Sequence, residues 1–485
     1  MSLGEVDYGL MGVVGGLIGF VAFFNNLMAG AVGRFYAFAV GEAQKTGNEA
    51  MGLENCRRWF NVAVLIHTVL PTVLIVIGYP VGVWAVENYL VIPPDRINAC
   101  IWVWRFSCIA CFMGMVNVPF QAMYTAKQEI AELTIYGFVT TTLHAGFLYY
   151  MITHPGFWLV KLSAWTCFLG VVPQLLICTM AFVRYRECRI RLSYLWDLPR
   201  LKDLAIYAGG RFVCALSLMI RSNAVTVLIN KCLGPTRNAA MSIGNTVASH
   251  AMTLSGALVG AFSPAITNAA GANDLPRMRQ LSFSICKYGV LSILFFAIPL
   301  AIEVDSVLRL WLVTPPSGAA ALCACLLCEC AISKLVDGHW IAVFAMGKTF
   351  AFNITESVGY YASFFLIWGF ILLGLDIVSV GVGIIVCSAY TVAIKLYWGR
   401  KLCGLSICHW IRRIVLPILF VMLLVLPLAV VPRLMMCESF LRVVLTTIIS
   451  ESLFMPLTWY IVLEEAERRM VIGKLKMRFH LKDGC

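Results

Sequence analysis

Nine basic side chains fall inside long apolar stretches of this sequence: Arg34, Arg105, Lys161, Arg211, Arg221, Lys287, Lys334, Lys395 and Arg442. A cation at the bilayer centre costs about 2.5–3.5 kcal/mol on insertion scales, so each needs a physical reason to be there. Near the end of a span the long side chain reaches back to the headgroups at much lower cost. Lys161, Lys287, Lys395 and Arg442 sit close enough to span ends for that reading. Arg34 and Arg211 stand evenly between snorkelling and function, and Arg105 leans toward function. Arg221, beside Ser222 and Asn223, and Lys334 lie too deep for lipid exposure. They are expected to face protein or a water-filled cavity.

The acidic groups are placed differently. No Asp or Glu lies deep in a span of the first half, whereas Glu329, Asp337, Glu356 and Glu451 do so later. Lys334 and Asp337, three apart, are expected to share one helix face as a neutralising pair. Glu356, alone early in its helix, is the leading candidate for a coupling-ion or proton site, with Asp337 and Glu329 behind it. A cavity lined by Arg34, Arg105, Arg211, Arg221 and Lys334 would be net cationic. Such a cavity suits phosphate or pyrophosphate, whose oxygens match the guanidinium fork, and suits a cationic drug badly. Asn25, Asn26, Asn117, Gln121, Tyr124 and Asn245 could hydrogen-bond or stack on a sugar, though helix–helix adhesion accounts for each equally well. His67, His144, His250 and His339 have no nucleophile or metal-spaced partner, so no enzyme, metal or cofactor is expected.

The elements that must hold these residues follow from composition. The chain has 485 residues, 60% hydrophobic and 13% charged, with mean hydropathy +0.85; soluble domains carry about 25% charged residues. Apolar runs long enough to cross about 30 Å of hydrocarbon recur throughout. The fold class is therefore an all-α polytopic membrane protein, and a β-barrel's short alternating segments are not seen. Thirteen transmembrane helices are predicted, near 8–40, 60–84, 99–124, 132–152, 157–183, 205–230, 238–267, 282–304, 318–345, 353–374, 377–397, 414–432 and 440–463. Cys323, Cys325, Cys328 and Cys330 fall within one of these helices and do not share a face, so they read as buried thiols.

Charge gives orientation. Alternate connections and the C-terminal tail hold 23 Lys and Arg, the opposite connections only five. The first set, with the tail, is placed in the cytoplasm. Most of the formal net charge of +12 is thus topology and headgroup anchoring, and no nucleic acid is expected as a partner.

An internal repeat organises the spans. In "GAVGRFYAFAVG" (30–41) and "GAFSPAITNAAG" (260–271), Gly30, Ala31, Ala39 and Gly41 align with Gly260, Ala261, Ala269 and Gly271 at an offset of 230. "LVIPP" (90–94) returns as "LVTPP" (312–316). Both copies run in the same direction, as in transporters built from parallel repeats around a central cavity. The expected organisation is an N-terminal half at 1–200 with five spans, a C-terminal half at 201–400 with six, and two extra spans with a basic tail at 401–485. The second copy has a span in front of it that the first lacks, so a first helix is expected to be missing from a fourteen-helix pattern.

The stretches "DYGLMGVVGGLIGFVAFFNNLMAGAVGRFYAFAVG", "YLVIPPDRINACIWVWRFSCIACFMGMVNVPFQAMYTAKQEI" and "LINKCLGPTRNAAMSIGNTVASHAMTLSGALVGAFSPAITNAAGANDLPRMRQL" resemble the Wzx-like polysaccharide (O-antigen) flippases. These form a branch of the multidrug/oligosaccharidyl-lipid/polysaccharide exporter superfamily. The likeness runs from about residue 7 to about residue 400 and begins at the family's second helix. It implies a flippase of the bacterial inner membrane that moves undecaprenyl-pyrophosphate-linked oligosaccharide from the cytoplasmic to the periplasmic leaflet for lipopolysaccharide-type surface polysaccharide. It also implies alternating access between two six-helix halves, driven by a Na+ or H+ gradient or the membrane potential. A polysaccharide polymerase and chain-length proteins are the implied protein partners. Family members use cavity cations on the pyrophosphate and sugar, and Arg34, Arg211, Arg221 and Lys334 match that use by depth. A drug or cation exporter of the same superfamily, a lipid II flippase and a membrane polysaccharide polymerase are the other readings.

Overall fold

The computed structural model describes residues 28–469 except 90–91, 155, 313 and 348, together with residue 472. The expected first span before residue 28, with Asn25 and Asn26, lies outside the described residues, as does most of the basic tail. Among the described residues there are helices and no strands. They are α1 (28–46), α2 (Glu49–Trp84), α3 (Ile97–Val116), α4 (Val118–Ala126), α5 (Ile130–Thr153), α6 (Leu159–Arg184), the single turn α7 (Leu192–Leu195), α8 (Leu198–Leu233) and α9 (Pro235–Gly271). The chain continues through α10 (Leu275–Ile302), α11 (Val304–Leu312), α12 (Ala319–Lys334), α13 (Asp337–Met346), α14 (Phe350–Leu372), α15 (Ile377–Cys403), the turn α16 (Ile407–Trp410), α17 (Leu416–Met435) and α18 (Phe440–Leu457). Nine helical segments among the described residues are long and apolar enough to cross a membrane, ten if the pair α12–α13 is one span. The expected spans near 132–152 and 238–267 are α5 and α9, which are not among those nine.

Local chemistry sets the boundaries. Asn48 starts α2 by accepting a hydrogen bond from the Met51 amide at 3.0 Å, just after Gly47 turns the chain at φ +62°. Asp376 starts α15 and Gly404 ends it at φ +66°, the left-handed cap that glycine adopts without a Cβ penalty. The expected single helix at 318–345 is corrected here. It breaks at Leu335–Val336, and the two pieces are bent by 46°.

The chain divides into two compact units. Unit 1 is 1–212 with 264–275, and unit 2 is 213–263 with 276–485. Within unit 1 the two glycine phrases meet. A Cβ at Gly41 would stand 1.9 Å from the Asn268 carbonyl oxygen, and one at Gly271 would stand 2.1 Å from that of Phe38. Phe38 and Asn268 are themselves 230 apart, so the contact is reciprocal, as between two-fold-related surfaces. Only residues without a side chain allow backbones this close. Gly41→Leu is therefore expected to destabilise unit 1 by about 1–3 kcal/mol or more, the range for overpacking. A lowered thermal unfolding midpoint in detergent checks this, and an unchanged midpoint contradicts it.

Two cations assigned to headgroups are instead buried and paired in unit 2. Lys287 donates to both carboxylate oxygens of Glu467, at 2.7 and 2.9 Å, and the Tyr288 hydroxyl joins at 2.7 Å. Burial alone would push the Glu467 carboxyl up, but hydrogen bonds from Lys287, the Glu464 amide and Tyr288 outweigh it and hold it below the usual carboxylate range. Arg442 donates to Glu303 at 2.8 and 3.1 Å, and Ser306 and Thr446 complete that network. The first pair joins the C-terminal segment to α10 and the second joins α18 to the bend between α10 and α11, and a carboxylate brought in from elsewhere in the chain replaces the headgroup phosphate expected at these positions. Lys161 remains exposed, its ammonium 4.8 Å from the Trp158 ring centre.

Candidate functional site

In unit 1 three short helical periods bring arginines and aromatic rings together. On α8, Arg200, Asp203, Tyr207 and Arg211 recur every three to four residues and so share a face. On α1, Arg34 stands beside Phe35 and Phe38; on α2, Asn55 and Trp59 are four apart. The Arg34 guanidinium lies 4.7, 5.2 and 5.3 Å from the ring centres of Phe35, Phe38 and Tyr207. Phe35 stacks on Trp59 at 4.1 Å and meets Tyr207 edge-on at 5.7 Å. Arg200 covers the other ring, 5.5 Å from Trp59, and is held by Asp197 and by Asn55 at 3.2 Å. Arg211 hydrogen-bonds with Tyr207, and Gly30 makes room for it: a Cβ there would stand 3.0 Å from Nη1. Asp203 acts on Arg34 through space. Three guanidiniums, two carboxylates and four rings thus form one half-buried surface. Each cation–π contact contributes about 0.5–2 kcal/mol, depending on how dry it is.

The structure brings Arg34 and Arg211 together at Tyr207, as two members of the expected cationic set. Arg105 is not part of that group. It lies on α3, with its Nε donating to the Tyr79 hydroxyl on α2 at 2.9 Å.

In unit 2 three polar stripes converge. α14 carries Asn353, Glu356, Tyr360 and Ser363; α15 carries Ser388, Thr391 and Lys395; α8 carries Cys214, Ser217 and Arg221. Close helix approach aligns the first two. A Cβ at Gly359 would stand 2.4 Å from the Tyr390 ring, and one at Gly383 would stand 2.6 Å from Ile367. Glu356 is 3% exposed. Its Oε2 accepts from the Cys214 thiol at 3.3 Å, and its Oε1 faces the Tyr360 hydroxyl at 3.5 Å and Lys395 Nζ at 3.6 Å. Arg221 covers Tyr360, with its guanidinium 5.5 Å from the ring centre. On α12, Glu329 accepts from Ser388 at 3.0 Å.

Two expectations are corrected by this geometry. Lys395 does not snorkel: its side chain is 12% exposed and its ammonium stands 3.6 Å from the Glu356 carboxylate, which α14 carries as its one charged group. Lys334 and Asp337 do pair, at 2.7 Å, but across the break between α12 and α13 rather than on one helix face. The Lys395 signal was present in the sequence. Ser388, Thr391 and Lys395 fall at i, i+3 and i+7 inside an otherwise apolar helix, a stripe that must face protein. At 3.6 Å the Glu356–Lys395 pair is longer than a charge-assisted hydrogen bond of about 2.7–2.9 Å.

No protein-family model and no curated protein sequence matches the chain. Solved structures do. A MATE transporter in complex with MaL6 superposes with a TM-score of 0.68 at 14% identity, covering 83% of this chain and 91% of that one. A multidrug resistance MATE family transporter of the MOP superfamily, in its outward-facing conformation, gives 0.65 at 14% identity over 83% and 89%. A MOP superfamily transporter from Pyrococcus furiosus, whose binding pocket has reversed polarity and suggests a different function, gives 0.66 at 15% identity over 83% and 93%. The chain has the fold of MATE transporters. With nine apolar segments of spanning length among the described residues, it is a multi-pass membrane protein. These neighbours are transporters rather than enzymes.

Proposed function

We propose that this protein is a flippase that carries undecaprenyl-pyrophosphate-linked oligosaccharide across the bacterial inner membrane by alternating access, for surface polysaccharide synthesis. The observation that carries the proposal is the Arg34–Tyr207–Arg211 cluster of unit 1. Guanidiniums form forked hydrogen bonds to phosphate oxygens, and the neighbouring rings offer faces on which a sugar can stack. A cationic drug would meet repulsion there. The Pyrococcus furiosus transporter of this fold has a binding pocket of reversed polarity, for which a different function is suggested. In unit 2, Glu356 and Lys395 supply the ion-coupling element: a H+ or Na+ taken up by Glu356 loosens Lys395, and its loss restores the pair. The basic tail lies in the cytoplasm in this proposal, and polymerase and chain-length proteins receive the flipped product.

A second reading has its own support. Glu356 is a buried carboxylate and Glu329 a partly buried one, of the kind a cation exporter needs, and one fold neighbour is a multidrug resistance transporter. Expression in two bacterial strains separates the two. The flippase reading expects restored surface polysaccharide in a flippase-deficient strain and no added resistance in a drug-sensitive one. Resistance to cationic drugs without restored polysaccharide overturns it.

A further inference from the structure

Between α2 and α3 of unit 1 lies an open groove of about 640 Å³. Its walls are apolar, built mainly from Ile75, Val76, Phe106, Ile109, Phe112 and Met113, and no Asp or Glu lines it. Val76 and Ile109 are among the most exposed apolar residues nearby, at 67% and 51%. Tyr79, Trp102 and Arg105 also line it. Arg105 is exposed, yet it sits eight residues into α3, about 12 Å along the helix axis. Its Nε is committed to the Tyr79 hydroxyl at 2.9 Å, and its guanidinium lies 4.8 Å from the Trp102 ring centre. Among the described residues, neither terminal nitrogen of Arg105 has a hydrogen-bond partner. The guanidinium is therefore held in place by its inner nitrogen and one flanking ring, with its outer fork exposed at the groove.

We propose that this groove is a binding site for a phosphodiester lipid of the surrounding leaflet. One acyl chain lies along the α2–α3 wall, and the phosphate sits on the outer fork of Arg105. The pairing answers two costs at once. A guanidinium at this depth needs an anion, and the planar fork matches two phosphate oxygens. An exposed apolar trough, in turn, is filled by hydrocarbon. Tyr79 is the positioning residue: it fixes the guanidinium plane from the neighbouring helix. Nothing in this site depends on what the protein transports.

The test uses the full-length protein purified in detergent, titrated with phosphatidylglycerol and read by native mass spectrometry. The wild type is expected to retain one phosphatidylglycerol per chain under conditions that strip other lipid. Arg105→Gln, which loses the charge, and Ile109→Trp, which fills the trough and keeps the charge, are each expected to retain it about tenfold less. Arg105→Lys should recover part of the binding, and millimolar inorganic phosphate should not displace the lipid. Equal retention by wild type, Arg105→Gln and Ile109→Trp means annular lipid only and overturns the proposal. So does displacement by inorganic phosphate, which marks a free-anion site. Should Arg105→Gln not elute as a single folded species, Ile109→Trp decides alone. A chain that binds the lipid but flips no oligosaccharide would overturn the transport reading and leave this one standing.

Discussion

Lys395→Met is expected to abolish transport and to destabilise unit 2. The substitution keeps the length of the side chain and removes its charge, leaving Glu356 buried at 3% exposure with only a thiol and a distant phenol for company. Removing one member of a buried pair costs about 3–5 kcal/mol, because the other charge stays desolvated. Without its counter-ion Glu356 has no partner to exchange against the coupling ion, so the proposed cycle stops. The double variant Glu356→Gln/Lys395→Met removes both charges and should regain most of the lost stability, since exchanging a buried pair for neutral groups is often neutral or better. It should not regain transport. Thermal unfolding and initial transport rates, measured on the same preparations, check both halves. Transport by the double variant at the wild-type rate would remove the pair from the coupling mechanism and leave it a structural contact.

The double variant Arg34→Ala/Arg211→Ala is expected to lose recognition of the phosphate end of the cargo. A hydrogen bond to a charged group contributes about 1.5–3 kcal/mol, or roughly 10- to 150-fold in affinity for each arginine. The two need not add, because both flank Tyr207 and adjacent sites couple. Arg34→Lys keeps the charge and loses the fork, so it should fall between wild type and Arg34→Ala. Binding of a pyrophosphate-bearing prenyl lipid, followed by tryptophan fluorescence from Trp59, reads the effect. Tyr207→Phe serves as the companion variant: it leaves the aromatic face intact and removes the hydroxyl through which Arg211 is held. Unchanged affinity in the double arginine variant would dismiss the cluster as a site and make it an interfacial anchor.

The sequence and the structure part company in an instructive way. Apolar length alone marks the helices, since a span of hydrocarbon can be crossed only by backbone that satisfies its own hydrogen bonds. The glycine phrase was legible because close backbone approach forbids any Cβ, so Gly41 and Gly271 stand out at matching places. Lys287, Lys395 and Arg442 read as snorkelling residues from their places near span ends, and the structure sets each against a carboxylate. Depth within a span says how costly a charge is, but not whether another helix brings its partner. Glu467 is 180 positions from Lys287 and Glu303 is 139 from Arg442, so nothing local announces either pair. The break between α12 and α13 has no proline to signal it. It lies where Lys334 and Asp337 meet across two non-helical residues, and their charge pair was visible while the bend was not. In contrast, the stripe Ser388–Thr391–Lys395 and its counterpart on α14 were readable as helical periods. They identify Glu356 and Lys395 as facing protein before any partner is known.

The central claim is that the cationic cluster of unit 1 serves a pyrophosphate-linked glycan. Its most direct test is flipping in liposomes reconstituted with the purified full-length chain. A fluorescent undecaprenyl-pyrophosphate oligosaccharide is placed in one leaflet, and its arrival in the other is followed by quenching with a membrane-impermeant reagent. A parallel set of vesicles is loaded with a cationic dye. Expected are gradient-dependent appearance of the oligosaccharide in the second leaflet, loss of that signal in Arg34→Ala/Arg211→Ala, and no dye movement above protein-free vesicles. Dye efflux driven by the gradient, with no movement of the oligosaccharide, would contradict the claim.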